Sequence, residues 1–119
     1  RIDRYRLSLS ALPEGVILFR QGHTLEWCNP AAEKHLGIKL TKHLGMALNL
    51  VFDNPKIIEY MENGDFSKPI EIKSHEPSRI LLLSAVVADK THFIVVTRDI
   101  TEQRRIDSMR KDFVANVSH

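Results

Sequence analysis

Two groups of short apolar runs, separated by a segment with helical spacing, constrain the fold of this sequence more than any other feature. Gly15–Arg20 contains the β-branched and aromatic run VILF, and Thr24–Cys28 alternates apolar and polar residues after a turn signal at Gln21-Gly22-His23. Such patterns are typical of two strands joined as a hairpin. Three more strands are predicted in the last third: Phe66, Ile70 and Ile72 alternate with polar residues, a break follows at His75–Ser78, and Arg79–Val87 and His92–Thr97 flank a turn at Asp89-Lys90.

The segment between these strands carries two Asn-Pro pairs, Asn29-Pro30 and Asn54-Pro55. Each pair predicts a helix start, because Asn accepts from the first free amides and Pro loses no hydrogen bond at the first helical position. The predicted helices are Ala31–Leu36, ended by Gly37, and Lys56–Glu62, ended by Asn63-Gly64. Two more are expected: an amphipathic entry helix over Ile2–Leu12, ended by Pro13, and a helix from about Thr41 with Leu44, Ala47, Leu48 and Val51 on one stripe.

The order of these elements indicates a fold class. Two strands, several short helices, three strands and a long C-terminal helix follow one another along the chain. Consecutive hairpins on both sides of a helical insert favour an antiparallel sheet with the helices packed on one face. The sequence therefore predicts an α+β domain with a five-stranded antiparallel sheet.

Length and composition limit the classes of protein that fit. A chain of 119 residues, with 43% hydrophobic and 27% charged residues, supplies the core of one globular domain. The net charge of +2 gives no support for a nucleic-acid or membrane surface, and the longest apolar run, Ile80–Ala88, is far shorter than the roughly 20 residues of a membrane span. The single cysteine, Cys28, fits a reducing compartment and is expected to be a small buried hydrophobe. Because the chain starts at Arg1 without Met or a signal peptide, we expect it to be a piece of a longer protein.

Two short motifs resemble the PAS domain family. Trp27-Cys28-Asn29-Pro30-Ala31-Ala32 lies where the second strand meets the first helix after it, and Asp99-Ile100-Thr101, followed by Arg104, lies where the last strand meets the exit helix. The resemblance covers approximately Leu12–Thr101 and implies a PAS fold, in which small helices close a pocket over one face of the sheet. It also implies that Asp99, Ile100 and Thr101 couple the sheet to the helix through a contact between Asp99 and Arg104. The alternative, that Asp99 and Thr101 cap the helix, is compatible with this role.

The C-terminal stretch Arg110–His119 is similar to the segment that enters the H-box of sensor histidine kinases, where Phe-x-Ala-x-x-Ser-His precedes an acidic residue. The resemblance implies that His119 is the catalytic phosphoacceptor, which takes the γ-phosphoryl group of ATP and passes it to an aspartate of a response regulator. A neutral imidazole suits this task, because its unperturbed pKa is about 6.5. Residues 1–101 are then the PAS sensor domain with its entry helix, and residues 102–119 begin the dimerisation and histidine-phosphotransfer helix.

An apolar stripe runs along this exit helix. Its members step by three and four residues: Ile106, Met109, Phe113 and Val117. Such a short stripe is consistent with a dimeric helical bundle and equally with packing on the chain's own domain.

Ala11–Val16 and Glu26–Ala32 resemble the PAS domain of phosphate-regulon sensor kinases in particular. That resemblance implies a homodimeric parent kinase in the bacterial inner membrane, with this domain in the cytoplasm and with ATP and Mg²⁺ bound by another part of the parent. A response regulator would receive the phosphoryl group, and input would come from a phosphate transporter through an accessory regulator that docks on the PAS surface. The alternative is a PAS module that senses a ligand or a protein before a nucleotide cyclase, a chemoreceptor or a transcription activator, where no residue is phosphorylated.

No cofactor site and no metal site are predicted within these residues. Lys56–Gly64 contains no histidine of the kind that binds haem in related domains, and the other histidines lack the paired spacing of a zinc site. Five residues that would line a small pocket are more typical of a core: Phe19, Trp27, Leu44, Ile58 and Val95. Because the sequence has no Gly-rich phosphate loop, the chain alone is expected neither to bind nor to hydrolyse ATP.

Overall fold

The computed structural model describes residues 7–20, 22–75 and 78–118. In these ranges the chain forms, in order, a helical segment at residues 7–10 (α1), β1 (Gly15–Arg20), β2 (Thr24–Cys28), α2 (Pro30–Leu36), α3 (Leu40–His43), α4 (Leu48–Val51), α5 (Pro55–Asn63), β3 (Ile70–His75), β4 (Ser78–Val87), β5 (His92–Asp99) and α6 (Thr101–Val117). The predicted order of strands and helices is confirmed. Residues 1–6 of the predicted entry helix lie outside the described residues.

The five strands form one antiparallel sheet in the order β2-β1-β5-β4-β3. The last strand in the chain, β5, therefore lies at the centre, where Val95 pairs with Ile17 of β1 on one side and with Ala85 of β4 on the other. The predicted α+β class with a five-stranded antiparallel sheet is confirmed. Because β5 continues directly into α6, the exit helix is attached to the middle of the sheet.

The short helices cover one face of the sheet, as predicted. Side chains of a strand alternate between its two faces, and those on the helical side are the buried ones. The core combines residues from strands and helices: Ile17, Phe19, Leu81, Leu83, Ala85 and Val95 with Ala32, Leu48, Ile57 and Met61. Each fully buried Leu, Ile, Val, Phe or Met side chain contributes about 1.5–3 kcal/mol relative to an exposed one.

The side chain of Asn29 joins four parts of the fold. It is fully buried, and its Oδ1 atom accepts from the amides of Val16, at 2.9 Å, and Ala32, at 3.0 Å. Its Nδ2 atom donates to the carbonyls of Leu9, at 2.8 Å, and Glu14, at 3.0 Å. One amide thereby caps α2 and holds β1 and the segment that leads into it. The predicted cap at Asn29 is confirmed, and its role in the fold is larger than a cap.

The second Asn-Pro pair and the two glycine stops also form as predicted. The side chain of Asn54 accepts from the amide of Lys56 at 2.9 Å, with Pro55 in the first turn of α5. Gly37 and Gly64 end their helices in the left-handed conformation, at φ values of 71° and 75°. This conformation favours glycine, because a Cβ atom is strained there.

The helix predicted from about Thr41 to Val51 is wrong as a single element. The chain between α3 and α4 adds to the sheet edge instead: the amide of Gly45 donates to the carbonyl of Leu25 at 2.8 Å, and the amide of Leu25 donates to the carbonyl of Met46 at 2.9 Å. These bonds use backbone groups that a continuous helix would need. Leu44, expected on the apolar stripe, is 60% exposed as a result.

Phe66, predicted to begin the third strand, precedes it. The carboxylate of Asp65 accepts from the amide of Ser67 at 3.2 Å, so the chain turns there before β3 begins. The ring of Phe66 packs on Tyr60 of α5, with 5.4 Å between ring centroids. The alternation around Phe66 thus reflects contact with a helix rather than a place in the sheet.

We expect Asn29→Ala to lower the free energy of unfolding by about 3 kcal/mol or more, because buried backbone groups of several elements lose their partners. Urea denaturation measures this loss. Asn54→Ala is the matched control: it also removes an Asn before Pro at a helix start, but with one bond near the surface, and should cost about 1 kcal/mol. Equal losses in the two variants would show that Asn29 is only a cap.

Candidate functional site

Two hydrogen bonds connect the joint between β5 and α6, Asp99-Ile100-Thr101, to one residue of the neighbouring strand β4. The amide of Ile100 donates to the carbonyl of Ile80 at 2.9 Å, and the amide of Ile80 donates to the hydroxyl oxygen of Thr101 at 2.9 Å. Ile100 itself is buried. The first residue of the exit helix is therefore fixed to the sheet by a side-chain bond as well as by the chain.

Asp99 organises the first turn of α6. Its Oδ1 atom accepts from the hydroxyl of Thr101 at 2.5 Å and from the amide of Thr101 at 2.9 Å, and its Oδ2 atom lies 3.9 Å from Nε of Arg79. The Thr101 hydroxyl first, then the Thr101 amide and the Arg79 charge, hold the pKa of the Asp99 carboxyl below its usual range, against the opposing effect of burial. Asp99 thus bonds the first amide of α6 from the position before the N-cap, Ile100, which has no side-chain cap of its own. The Thr101 hydroxyl accepts from β4 and does not cap α6.

The predicted contact between Asp99 and Arg104 is wrong. Nε of Arg104 donates to Oε1 of Glu71 on β3 at 2.7 Å, and a second guanidinium nitrogen contacts the same oxygen. A third nitrogen lies 3.3 Å from the Asp107 carboxylate. The carboxylate of Asp99 contacts Thr101 and Arg79 instead. Arg104 lies three residues after Thr101 on α6, and its side chain extends to β3. The basic residue of the motif still ties the helix to the sheet, but through a different strand.

Beyond its first turn, α6 extends away from the domain. No residue of this helix within the described ranges is buried. The predicted apolar stripe is exposed along its length, with Ile106 at 44%, Met109 at 61%, Phe113 at 67% and Val117 at 67%. Packing of the stripe on the chain's own domain is therefore not seen in the described residues. His119, the predicted phosphoacceptor, lies outside them.

A buried histidine contacts β5 just before the joint. Nδ1 of His35 is 2.9 Å from Oγ1 of Thr97, a fully buried residue two positions before Asp99 on β5. Gly15 makes this arrangement fit, because a Cβ atom there would collide with Oγ1 of Thr97. Burial, and then the charge of Arg79, lowers the pKa of His35, while Asp99 opposes the shift. His35 is thus a core residue.

The five residues considered for a pocket do not share one. Phe19 and Val95 are fully buried in the core, and Leu44 is exposed. Trp27 pairs with Leu18, whose side chain lies on the opposite face of β1 from Phe19.

Burial, and secondarily the Glu33 carboxylate, raises the pKa of Cys28 to about 11, as for a thiol that packs as a small hydrophobe.

Among the described residues, no group of three or more His, Cys, Asp and Glu side chains is arranged to hold a metal ion. None of the helices in the same ranges has the length and hydrophobicity that crossing a bilayer requires.

Thr101→Val, which replaces a hydroxyl by a methyl group of similar size, should lower the free energy of unfolding by about 1–2 kcal/mol, because the amide of Ile80 loses its acceptor. Urea denaturation checks the loss. Amide hydrogen exchange at Ile80 should also speed up.

Thr91→Val is a matched control, since the hydroxyl and amide of Thr91 bond to Asp89 in the same way as those of Thr101 bond to Asp99. The Thr91 hydroxyl accepts no amide of another strand among the described bonds, so its loss should be smaller. Similar losses in both variants would contradict a special role for the bond to Ile80.

Comparison with known proteins places this geometry in a family. Residues 3–71 match the family model described as a PAS domain. The chain is 38% identical over 120 residues to the phosphate regulon sensor protein PhoR of Pseudomonas aeruginosa. That alignment covers 99% of this chain and 27% of the other protein. It is 32% identical over 110 residues to the sensor histidine kinase WalK of Bacillus subtilis, with 88% of this chain and 17% of that protein covered. The chain thus spans about a quarter or less of the length of these relatives.

Solved structures show the same fold. The PAS domain of Bordetella pertussis BvgS superposes with a TM-score of 0.64 at 17% identity, over 99% of this chain and 98% of that domain. A PAS domain from Colwellia psychrerythraea gives a TM-score of 0.63 at 12% identity, over 85% of this chain and 98% of that one. The matched family model, the five-stranded sheet and the Asp99-Ile100-Thr101 joint agree: the chain belongs to the PAS domain family.

Proposed function

We propose that this chain is the signal-input domain of a two-component sensor histidine kinase that responds to phosphate starvation. One observation carries the proposal: α6 starts at a joint bonded to the sheet, exposes an apolar stripe and leads into the residues that resemble an H-box. The sequence similarity to a phosphate regulon sensor protein and to a sensor histidine kinase supports it. The domain would then regulate chemistry that occurs beyond its own residues.

His119 is the proposed phosphoacceptor. A ring nitrogen of the neutral imidazole would attack the γ-phosphorus of ATP, ADP would leave, and an aspartate of a response regulator would later receive the phosphoryl group. ATP and Mg²⁺ would be bound by another domain of the parent kinase. The chain described here would supply the substrate histidine and the signal.

The joint is the proposed route of that signal. Thr101 accepts from Ile80 of β4, and Arg104 donates to Glu71 of β3, so movement of either strand changes the direction of α6. A ligand or partner that binds one arrangement of the sheet better would shift the population of helix orientations. Kinase-competent and phosphatase-competent states would differ in this orientation.

The exposed stripe of α6 is the proposed homodimer contact. Its residues are spaced by three and four, as in helices that pair side by side, and four apolar side chains on one face are costly to leave in water. A second copy of the same helix offers a matching surface. Two phosphoacceptor helices would then lie together in the parent kinase.

The remaining partners follow from the proposed phosphate response. The parent would be an inner-membrane protein with this domain in the cytoplasm. An accessory regulator of phosphate signalling would dock on the PAS surface and report the state of a phosphate transporter.

In the natural protein that contains this sequence, incubation with γ-labelled ATP should give an acid-labile, base-stable label that His119→Gln removes, because the phosphoramidate bond needs the imidazole. His43→Gln, a change at a partly exposed histidine of α3, should keep the label. Retention of label in His119→Gln would refute the assignment.

The same protein tests the joint. Thr101→Val should keep the label but should make phosphorylation of the response regulator independent of the phosphate supply of the cell, while Thr91→Val should respond as the unmodified protein does. Normal regulation in Thr101→Val would exclude the joint as the route.

Phe113→Glu should weaken self-association of the chain by about tenfold or more, because a charge would be placed in an apolar contact. Sedimentation equilibrium over a range of concentrations measures the association constant. Ala115→Glu adds the same charge on the opposite face of α6 and should change it little. A monomer at all concentrations, or equal effects of both variants, would count against dimerisation through the stripe.

A further inference from the structure

Two side-chain contacts join the C-terminal half of α2 to the strand that continues into the exit helix. Nδ1 of His35 is bonded to the buried hydroxyl of Thr97 at 2.9 Å. One residue earlier, the carbonyl of Lys34 accepts from Arg79 of β4 at 3.3 Å, and Arg79 also lies 3.9 Å from the carboxylate of Asp99. Consecutive residues of α2 are thus connected to alternate residues of β5, directly before α6.

The surroundings of Thr97 indicate which nitrogen of His35 carries the proton. Thr97 is fully buried, and among the described residues its hydroxyl has one hydrogen bond, to Nδ1 of His35. If Nδ1 donated, the hydroxyl hydrogen would be buried without an acceptor, which costs free energy. The hydroxyl therefore donates to Nδ1, and the proton of the neutral ring is on Nε2.

Protonation of His35 would remove this hydrogen bond. An imidazolium ring carries a hydrogen on both nitrogens, so Nδ1 could no longer accept from Thr97. The packing around the bond is close: a Cβ atom at Gly15 of β1 would collide with the hydroxyl oxygen of Thr97 and with the backbone of Ala32 on α2. Helix and sheet are in direct contact here, so a change in the bond displaces one of them relative to the other.

The charge of a protonated ring would act on the joint as well. The charged groups that influence His35 come from three elements: Arg79 of β4, Asp99 of β5 and Lys34 of α2. Burial, and then Arg79, lowers the pKa of His35, whereas Asp99 raises it and Lys34 lowers it slightly further. A positive ring would repel the guanidinium of Arg79 and attract the carboxylate of Asp99. Both effects would weaken the contact between Arg79 and Asp99.

Two more charged residues border the surface depression that His35 lines. Asp53, which follows α4, is exposed, so its effect on the ring is screened by solvent. Lys73 follows the buried Ile72 along β3, and its side chain therefore lies on the opposite face of the sheet. Arg79 and Asp99 are thus the charged groups through which His35 acts on the joint.

We propose that His35 is a positioning residue for the exit helix: its neutral ring fixes α2 to β5 beside the joint, and its protonation weakens both that bond and the contact between Arg79 and Asp99. The inference deepens the proposed function, because it names a route from the helical layer to the joint. Its effect on phosphorylation rests on that function. The coupling of the ring to the joint belongs to the domain itself and is measured without ATP.

The first test is an NMR titration of the ¹⁵N-labelled chain with acid. In the neutral ring of His35, Nδ1 should have the chemical shift of an unprotonated nitrogen and Nε2 that of a protonated one. The ring should titrate below its unperturbed pKa of about 6.5, and the amide signals of Ile100 and Thr101 should shift with the same midpoint. A histidine that only fills the core would leave these two amides unchanged at that midpoint. A proton on Nδ1 of the neutral ring, or no shift of the two amides, would overturn the proposal.

His35→Gln tests whether the ring causes the shift. The glutamine oxygen can accept from Thr97 but does not titrate, so the shift of the Ile100 and Thr101 amides should disappear. His92→Gln is the matched control, because it removes an imidazole from the other end of the same strand and should leave the shift in place. Amide spectra at neutral pH establish that each variant is folded. Persistence of the shift in His35→Gln, or its loss in His92→Gln, would contradict the assignment to His35.

Thr97→Val tests the direction of the hydrogen bond. It replaces the hydroxyl by a methyl group of similar size, so the neutral ring of His35 loses its donor and the ring should titrate at a higher pH than in the unmodified chain. If Nδ1 were the donor instead, the charged ring would lose its acceptor, and the midpoint would move to lower pH. A midpoint that falls or stays the same would therefore overturn the proposal.

In the natural protein that contains this sequence, Thr97→Val should keep the label at His119 and should change how phosphorylation of the response regulator depends on phosphate supply. An unchanged dependence would contradict the positioning role in signalling. Absence of label at His119 in the unmodified protein would refute the proposed function and would leave the titration of His35 and its coupling to Thr101 as they are. The two proposals therefore fail separately.

Discussion

The fold depends on the buried amide of Asn29 more than on any other polar group. Its four hydrogen bonds satisfy backbone groups of α1, of the segment between α1 and β1, of β1 and of the start of α2. These groups would otherwise be buried without partners, so the amide determines where the first helix of the layer starts relative to the sheet. Since α2 also carries His35, the same amide indirectly sets the distance between that helix and the Thr97 hydroxyl on β5.

Features that depend on neighbouring residues could be predicted from the sequence. Asn29-Pro30 and Gly37 determine the bounds of α2 through the geometry of a few consecutive residues, and the apolar runs of β4 and β5 are long enough to define strands alone. The fold class follows, because the order of such elements leaves few antiparallel arrangements. The helix predicted from Thr41 does not form as one element for a reason outside its own segment. The backbone of Leu25, on β2, is hydrogen-bonded to Gly45 and Met46.

The candidate site could be predicted only in part. Asp99 and Thr101 were found because their motif is local, and their mutual hydrogen bonds span two residues. The partner of Arg104 was missed because Glu71 is 33 positions away and carries no motif of its own. The contact of His35 with β5 could not be predicted either, because its partner Thr97 is 62 positions away in the chain. Pairings of this kind depend on strand order and register, which one sequence does not specify.

The length of α6 has a geometric consequence for the small contacts at its base. With 17 residues at about 1.5 Å each, its axis is about 25 Å long. A tilt of about 10° at Thr101 would displace the far end by roughly 4 Å, although the atoms at the base would move by a few tenths of an ångström. The helix therefore amplifies small movements at its base. A change too small to disturb the packing of the sheet becomes, at the far end, a displacement comparable to the width of a side chain.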